Sequence, residues 1–159
     1  MMIDYTLEHK SPFILADYGF PIQASLQDYR SLALEREIFE SSLQKDGRLA
    51  KLKKRAKNER EWSVHKDYLG KPWNYFAVES RKELKDDCRL LKFPESNYIV
   101  ISDTAAKGKI FEHLSHQAFR KILPKVMHYT YLGGPHLAYR QERSDGSYYG
   151  EIWLPVVKK

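Results

Sequence analysis

Between His136 and Val156 the chain reads HLAYRQERSDGSYYGEIWLPV, and this stretch restricts the fold more than any other. Two runs rich in aromatic and branched residues flank Asp145-Gly146, a strong short-range hairpin signal. Successive side chains of a strand point to opposite faces. Ile152, Leu154 and Val156 therefore line one face, while Tyr149, Glu151 and Trp153 line the other. Both faces are partly apolar, and Glu151 interrupts one of them. The pattern suits a strand with a core on one side and an aromatic pocket on the other. With Asp145 and Gly146 as a two-residue loop, Ser144 pairs with Ser147. Arg140 then faces Glu151, Ala138 faces Trp153, and Leu137, Tyr139, Ile152 and Leu154 form the opposite face against helices. A bulge or a longer loop would change that register.

The rest of the chain alternates strands with helices. Ser11 to Pro21 reads as a strand ended by Gly19 and Pro21. A helix follows, with Ser25 as its cap and Leu26, Tyr29, Leu32, Leu34, Ile38, Phe39 and Leu43 on one face until Gly47. EWSVHKDYLGKPWNYFAVES reads as two strands joined near Leu69 to Pro72, and CRLLKF as a short strand before a turn at PESN. YIVIS, Tyr98 to Ser102, is a strongly branched strand. KIFEHLSHQAFRKIL is a helix with Ile110, Phe111, Leu114, Ala118 and Ile122 inward and Pro124 stopping it. Strand, helix, then strands, twice over, gives an α+β fold with helices on one face of an antiparallel sheet. The expected organisation is a single domain over 1–159, with halves at about 11–92 and 95–157.

Length supports that organisation, because 159 residues suffice for one real core but not for two globular domains of usual size. No apolar run reaches the roughly 20 residues that span a bilayer, and the first ten residues lack a signal peptide's apolar centre. A cytoplasmic location is expected. The single Cys88 forms no internal disulfide and reads as a small, at least half-buried hydrophobe. No Cys/His spacing makes a metal site, so neither a metal nor a cofactor is expected. His113, His116 and His136 converge on no nucleophile and read as surface or core histidines.

The formal charge of +6 is concentrated in one place. Lys45, Arg48, Lys51, Lys53, Lys54, Arg55, Lys57 and Arg60 face only Asp46 and Glu59 between Lys45 and Arg60. Such a block attracts phosphates. Leu49, Leu52 and Ala56 recur in it at helical spacing, no aromatics interleave, and no helix-turn-helix or zinc-finger pattern flanks it. It reads as a solvated helix face with a thin apolar stripe, not as a sequence-specific nucleic-acid site.

The run FPESNYIVISDT, the helix end FRKILPKV, the segment GGPHLAYRQE and the ending GEIWLPV resemble, in order and spacing, the GyrI-like family. Its members include the effector-binding domains of AraC-type transcription activators and the stand-alone DNA gyrase inhibitory protein. The likeness is clearest from about Trp62 to Val157, and Phe13 to Leu43 fits the family's first strand and helix. The resemblance implies duplicated strand-helix-strand-strand modules that form one curved sheet, with two helices on its back and a ligand cleft on its concave side. It also implies that Glu151, on the last strand, lies in the cleft and helps to bind cationic aromatic ligands, with Trp153 as the aromatic two residues on. Many members carry a second glutamate on the preceding strand, where this chain has Ala138.

Glu151 thus has two readings: an edge carboxylate paired with Arg140, or a pocket charge beside aromatic faces that attract a flat cation. On the second reading Trp153, Tyr149, Ala138 and Arg140 adjoin it, and Trp62, Trp73, Tyr75 and Tyr98 are candidate walls. Three functions follow from the resemblance. The first is a stand-alone sensor or sequestering module for planar organic ligands, cationic ones included. The second is a regulator that binds a protein partner, such as a transcription regulator or gyrase. The third is a hydrolase that uses Glu151 as base, against which an Arg140 partner would argue by lowering its basicity.

Overall fold

Alternating sequence dominates the chain, and the strands it forms pair into one antiparallel sheet. The computed structural model describes residues 5–80 and 89–159. In chain order the elements are β1 (Thr6–Lys10), β2 (Phe13–Pro21), α1 (Tyr29–Lys45), α2 (Arg48–Arg55), β3 (Glu61–Tyr68), β4 (Lys71–Glu79), β5 (Arg89–Phe93), β6 (Ser96–Ala105), α3 (Ile110–His116), β7 (Tyr129–Tyr131), β8 (His136–Glu142) and β9 (Tyr148–Lys158). The sheet order is β1-β6-β9-β8-β3-β4-β2-β5, with β7 also paired to β9. Cys88 lies outside the described residues.

The sheet curls tightly. Phe13 on β2 and Trp153 on β9 have ring centroids 5.7 Å apart, although three strands separate β2 from β9 in the sheet order. Side chains on the inner side of that curl form one aromatic-rich cluster, which includes Trp62, Tyr75, Tyr98, Tyr139 and Trp153. The outer side carries the helices over two aliphatic cores. One core sets Ile110, Leu114 and Ala118 against Ile99, Ile152 and Leu154; the other sets Leu43, Leu49 and Leu52 against Ala16, Phe76 and Val78. Burial of apolar side chains in these two cores and in the aromatic cluster drives the fold.

Local chemistry sets the element ends. In the β3–β4 turn both Leu69 (φ 52°) and Gly70 (φ 78°) are left-handed, as a two-residue hairpin of the right twist requires. The cap of α1 is Asp28, not Ser25: the Asp28 carboxylate accepts from the Ser31 amide at 3.1 Å and from the Ser31 hydroxyl at 2.7 Å. A carboxylate outcompetes a neutral hydroxyl at the positive end of a helix. The expected apolar face of α1 is also narrower than its spacing suggests, since Leu34 and Ile38 are exposed and only Leu43 is buried. The N-terminal half of α1 stands off the sheet, and a groove opens between α1 and α3 with Leu32 and Tyr29 in its wall.

After α3 the chain does not stop at Pro124 as one helix. It widens over Gln117–Ile122 and tightens over Leu123–Lys125, with Pro124 accepted at the start of the tight turn. β1 and β7 have no counterpart in the sequence reading, because TLEHK and YTY are too short and too mixed to show a period. The basic segment forms α2, whose Leu49 and Leu52 are buried. Internal contacts take up much of its charge: Arg48 pairs with Asp46, Lys53 with Glu61, and Arg55 is itself buried. No described helix is long and apolar enough to cross a membrane.

Candidate functional site

The β8–β9 hairpin decides which side chains meet Glu151. Arg143 N–H donates to Ser147 O at 2.7 Å, and Gly146 N–H donates to Arg143 O at 3.0 Å. Ser144, Asp145 and Gly146 are therefore the loop, with Gly146 left-handed at φ 87° and the Asp145 carboxylate accepting from the Ser147 amide. This is a three-residue loop, one residue longer than Asp-Gly alone suggests. The extra residue shifts the register by one, so every β8 side chain changes face. Tyr139 pairs with Glu151, Leu137 with Trp153 and Arg140 with Gly150. Arg140 and Ala138 consequently lie on the helix side, and the expected pairs Arg140–Glu151 and Ala138–Trp153 do not form.

On the concave side Glu151 is held by aromatic donors. The Tyr149 hydroxyl donates to Glu151 Oε2 at 2.7 Å, and the Trp153 indole N–H donates to Glu151 Oε1 at 2.9 Å. Burial and the Glu151 charge push the Tyr139 hydroxyl far above its usual range, and burial followed by the hydrogen bond to Glu151 raises that of Tyr149. Both phenols thus remain donors at neutral pH. Behind Glu151 the rings interlock: Trp153 meets Trp62 edge-on at 4.9 Å and Tyr98 at 5.6 Å, and Trp62 lies 5.1 Å from Tyr139.

A second tryptophan–carboxylate unit sits beside the first. Trp62 Nε1–H donates to Glu79 Oε2 at 3.1 Å, and Arg60 approaches the same oxygen at 3.7 Å. Asp17, whose β4 partner is Ala77 of the aromatic cluster, is buried on this face as well. Three rings flanking Glu151 carry cations of the protein itself. Lys10 Nζ lies 4.4 Å above Trp153, the Arg60 guanidinium 4.4 Å above Tyr139, and the Arg143 guanidinium 5.2 Å above Tyr149. These distances are those of cation–π contacts. Beyond the end of β1 a depression of about 640 Å³ reaches Glu151 and Tyr149, with Glu8, Ser102 and Asp103 also in its lining. Among the described residues no group of three His, Cys, Asp or Glu side chains is placed to hold a metal ion.

Residues 7–156 match the Cass2 family of integron-associated effector binding proteins. The chain belongs to that family. Solved structures share its fold. SAV2435 bound to tetraphenylphosphonium superposes with a TM-score of 0.73 at 18% identity, over 96% of this chain and 93% of that one. The integron cassette protein VCH_CASS2 from the mobile metagenome of Vibrio cholerae gives 0.67 at 10% identity, over 97% and 96%. The EcmrR C-terminal domain gives 0.55 at 12%, over the full length of both chains. No curated protein sequence matches the chain.

Of the residues singled out from sequence, the structure gathers Glu151, Trp153, Tyr149, Trp62, Tyr98, Tyr75 and Trp73 into one aromatic layer. Trp62 and Tyr98 touch Trp153, whereas Trp73 and Tyr75 stack on each other at 6.1 Å, nearer the β3–β4 turn. Tyr75 lies flat over Gly19, where a Cβ would come within 2.3 Å of the ring. Sequence reasoning missed Tyr139, Glu79 and Asp17. Each shares its strand parity with a layer member: Tyr139 with Leu137, Glu79 with Tyr75, and Asp17 with Leu15. Parity within a strand is legible; which parity faces inward depends on the pairing partner.

Proposed function

We propose that the chain is a small-molecule sensor or sequestering module that binds aromatic organic cations, planar ones included, on the concave face, with Glu151 as the counter-charge. The observation that carries this reading is the set of rings around Glu151, Trp153, Tyr139 and Tyr149, each of which already holds a cation from the protein's own surface. Ring faces and a half-buried carboxylate attract cations together, and desolvation strengthens both. The carboxylates of Glu151, Glu79 and Glu8 on this surface favour the same sign of ligand. Membership of an effector-binding family and the fold shared with a tetraphenylphosphonium-bound protein support it.

The reading is of binding and not of catalysis. Each Glu151 oxygen accepts a hydrogen bond from an aromatic donor, which sets the carboxylate as a stationary charge. Tryptophan fluorescence provides the test, with tetraphenylphosphonium as the cation and triphenylphosphine oxide as a neutral counterpart. Saturable quenching by the cation, weakened in Trp153→Phe and much smaller for the neutral compound, is the expected result. Equal binding of the two probes would refute a charge-selective site.

A further inference from the structure

The helix side of the sheet holds a second cavity, with Arg36 in its wall. Between α1 and α3 lies a groove of about 340 Å³, continuous through Phe20, Arg36, Ser63, Asn74 and Phe111 with a neighbouring space of about 220 Å³. Its size suits a drug-sized or smaller molecule. Flat side chains make the walls: Phe20 and Tyr29 on one side, Phe111, Phe119 and Tyr131 on the other. Asn74, whose amide donates to Ser63 Oγ at 3.0 Å, and the stacked pair His65–His136, with centroids 4.8 Å apart, line its floor.

Arg36 is the charge in this groove without a matching partner. It projects from α1 into the wall of both spaces, with its guanidinium 5.5 Å from the Phe111 ring. Among the described residues it makes no hydrogen bond and no ion pair. The carboxylates around it hydrogen-bond to other groups. Glu35 accepts from the Gln23 amide at 2.9 Å and the Ala24 amide at 2.7 Å, while Glu40 and Glu61 both bind Arg140. Glu112 and Glu35 act on Arg36 only through space. Burial, followed by the nearby Arg140 charge, lowers the Arg36 pKa to about 10, which leaves it a cation at neutral pH. A half-buried guanidinium whose N–H groups meet no hydrogen-bonded carboxylate is costly unless something supplies the anion.

We propose that the α1–α3 groove binds a flat aromatic carboxylate, or an organic anion of the same shape, with the anionic group on Arg36 and the ring between Phe20, Phe111 and Phe119. The fork of a guanidinium matches a carboxylate with two parallel hydrogen bonds. Asn74 and the two histidines, neutral because burial lowers both, offer donors to a ring substituent. This site is separate from the concave face and does not depend on a ligand there.

Titration calorimetry with 2-naphthoate as the probe and 2-naphthalenemethanol as its neutral counterpart tests the proposal on the whole chain. Wild type should bind the carboxylate more tightly than the alcohol. Arg36→Met should weaken 2-naphthoate by about tenfold or more, the loss of a charge-assisted pair, and leave the alcohol unchanged. Arg36→Lys, which keeps the charge without the fork, should fall between. Ser115→Trp, which fills the groove and keeps Arg36, should abolish binding of both probes. Equal affinity of wild type for both probes, undiminished 2-naphthoate binding by Arg36→Met, or undiminished binding by Ser115→Trp would each overturn the proposal.

Discussion

On the concave face Glu151 is ringed by aromatic donors, whereas directly behind the same pair of strands Arg140 is clamped between Glu61 and Glu40 and also donates to the Lys107 carbonyl. One charge lies half-buried at the edge of a buried aromatic layer, where the depression beside β1 reaches it. The other is consumed by the structure. Arg140 joins α1, β3 and the approach to α3, and is only 6% exposed. Burial opposes ionisation of Glu61, yet the Arg140 guanidinium, with Lys53 and Lys107 behind it, holds the carboxyl below its usual range. Two residues that a two-residue hairpin would pair are thus sent to opposite faces by one extra loop residue, and their roles diverge completely.

The largest effect expected from breaking this contrast is on the structural side. Arg140→Met should cost about 3 to 5 kcal/mol of stability, because Glu61 would remain buried without its partner. Urea unfolding measures this, and tetraphenylphosphonium affinity in the folded fraction should stay at the wild-type value. An increase in cation affinity would mean that Arg140 does offset Glu151. Next comes Gly150→Ala. A Cβ there would lie 2.7 Å from Ile110 Cγ1 and 2.8 Å from the Tyr139 carbonyl, so α3 must shift from β9, at a cost of about 1 to 3 kcal/mol in thermal unfolding.

Acid should also separate the two faces. Burial, with the charges of His65 and Arg36 adding to it, lowers the His136 pKa to about 3, while the unfolded chain takes up that proton near 6.5. The unfolded state therefore binds more protons between those values, and stability falls as pH drops from about 6.5 toward 3. Replacing His136 with Gln should flatten roughly 1 to 3 kcal/mol of that fall in unfolding curves at pH 7 and pH 4.5. An unchanged pH slope would show that His136 is protonated in the fold.

How much of this was legible beforehand follows from what a strand's sequence carries. Ile110, Phe111, Leu114, Ala118 and Ile122 were readable as an inward helix face because a 3.6-residue period is a property of one segment. The gathering of Glu151, Trp153 and Tyr149 was readable for the same reason, since they share parity within β9. Tyr139 and Arg140 were assigned to the wrong faces because a partner strand's parity is set by loop length, and Ser144 gives no sign that it belongs to the turn. Asp17 and Glu79 were invisible as members of the layer until β2 and β4 were paired. The groove was not legible either, since Leu34 and Ile38 continue the apolar period of α1 while its N-terminal half leaves the sheet.

A smaller effect sharpens the concave side. Lys10, itself half-buried, covers Trp153 and also pairs with Glu8 at 2.8 Å. Lys10→Met should vacate the ring face, strengthen tetraphenylphosphonium binding by about two- to fivefold, and change stability by less than about 0.5 kcal/mol. Weaker binding would indicate that Lys10 shapes the site instead of competing for it.

The central claim, that Glu151 selects cations on the aromatic face, meets its most direct test in the isosteric variant Glu151→Gln. The substitution removes the charge and keeps one oxygen to accept from the Trp153 N–H, while the new amide NH2 donates to the Tyr149 hydroxyl once that hydroxyl rotates to accept. Calorimetric titration with tetraphenylphosphonium should show a loss of about 1 to 3 kcal/mol, or roughly 5- to 150-fold, with triphenylphosphine oxide unaffected. Identical cation affinity in wild type and Glu151→Gln would contradict the account.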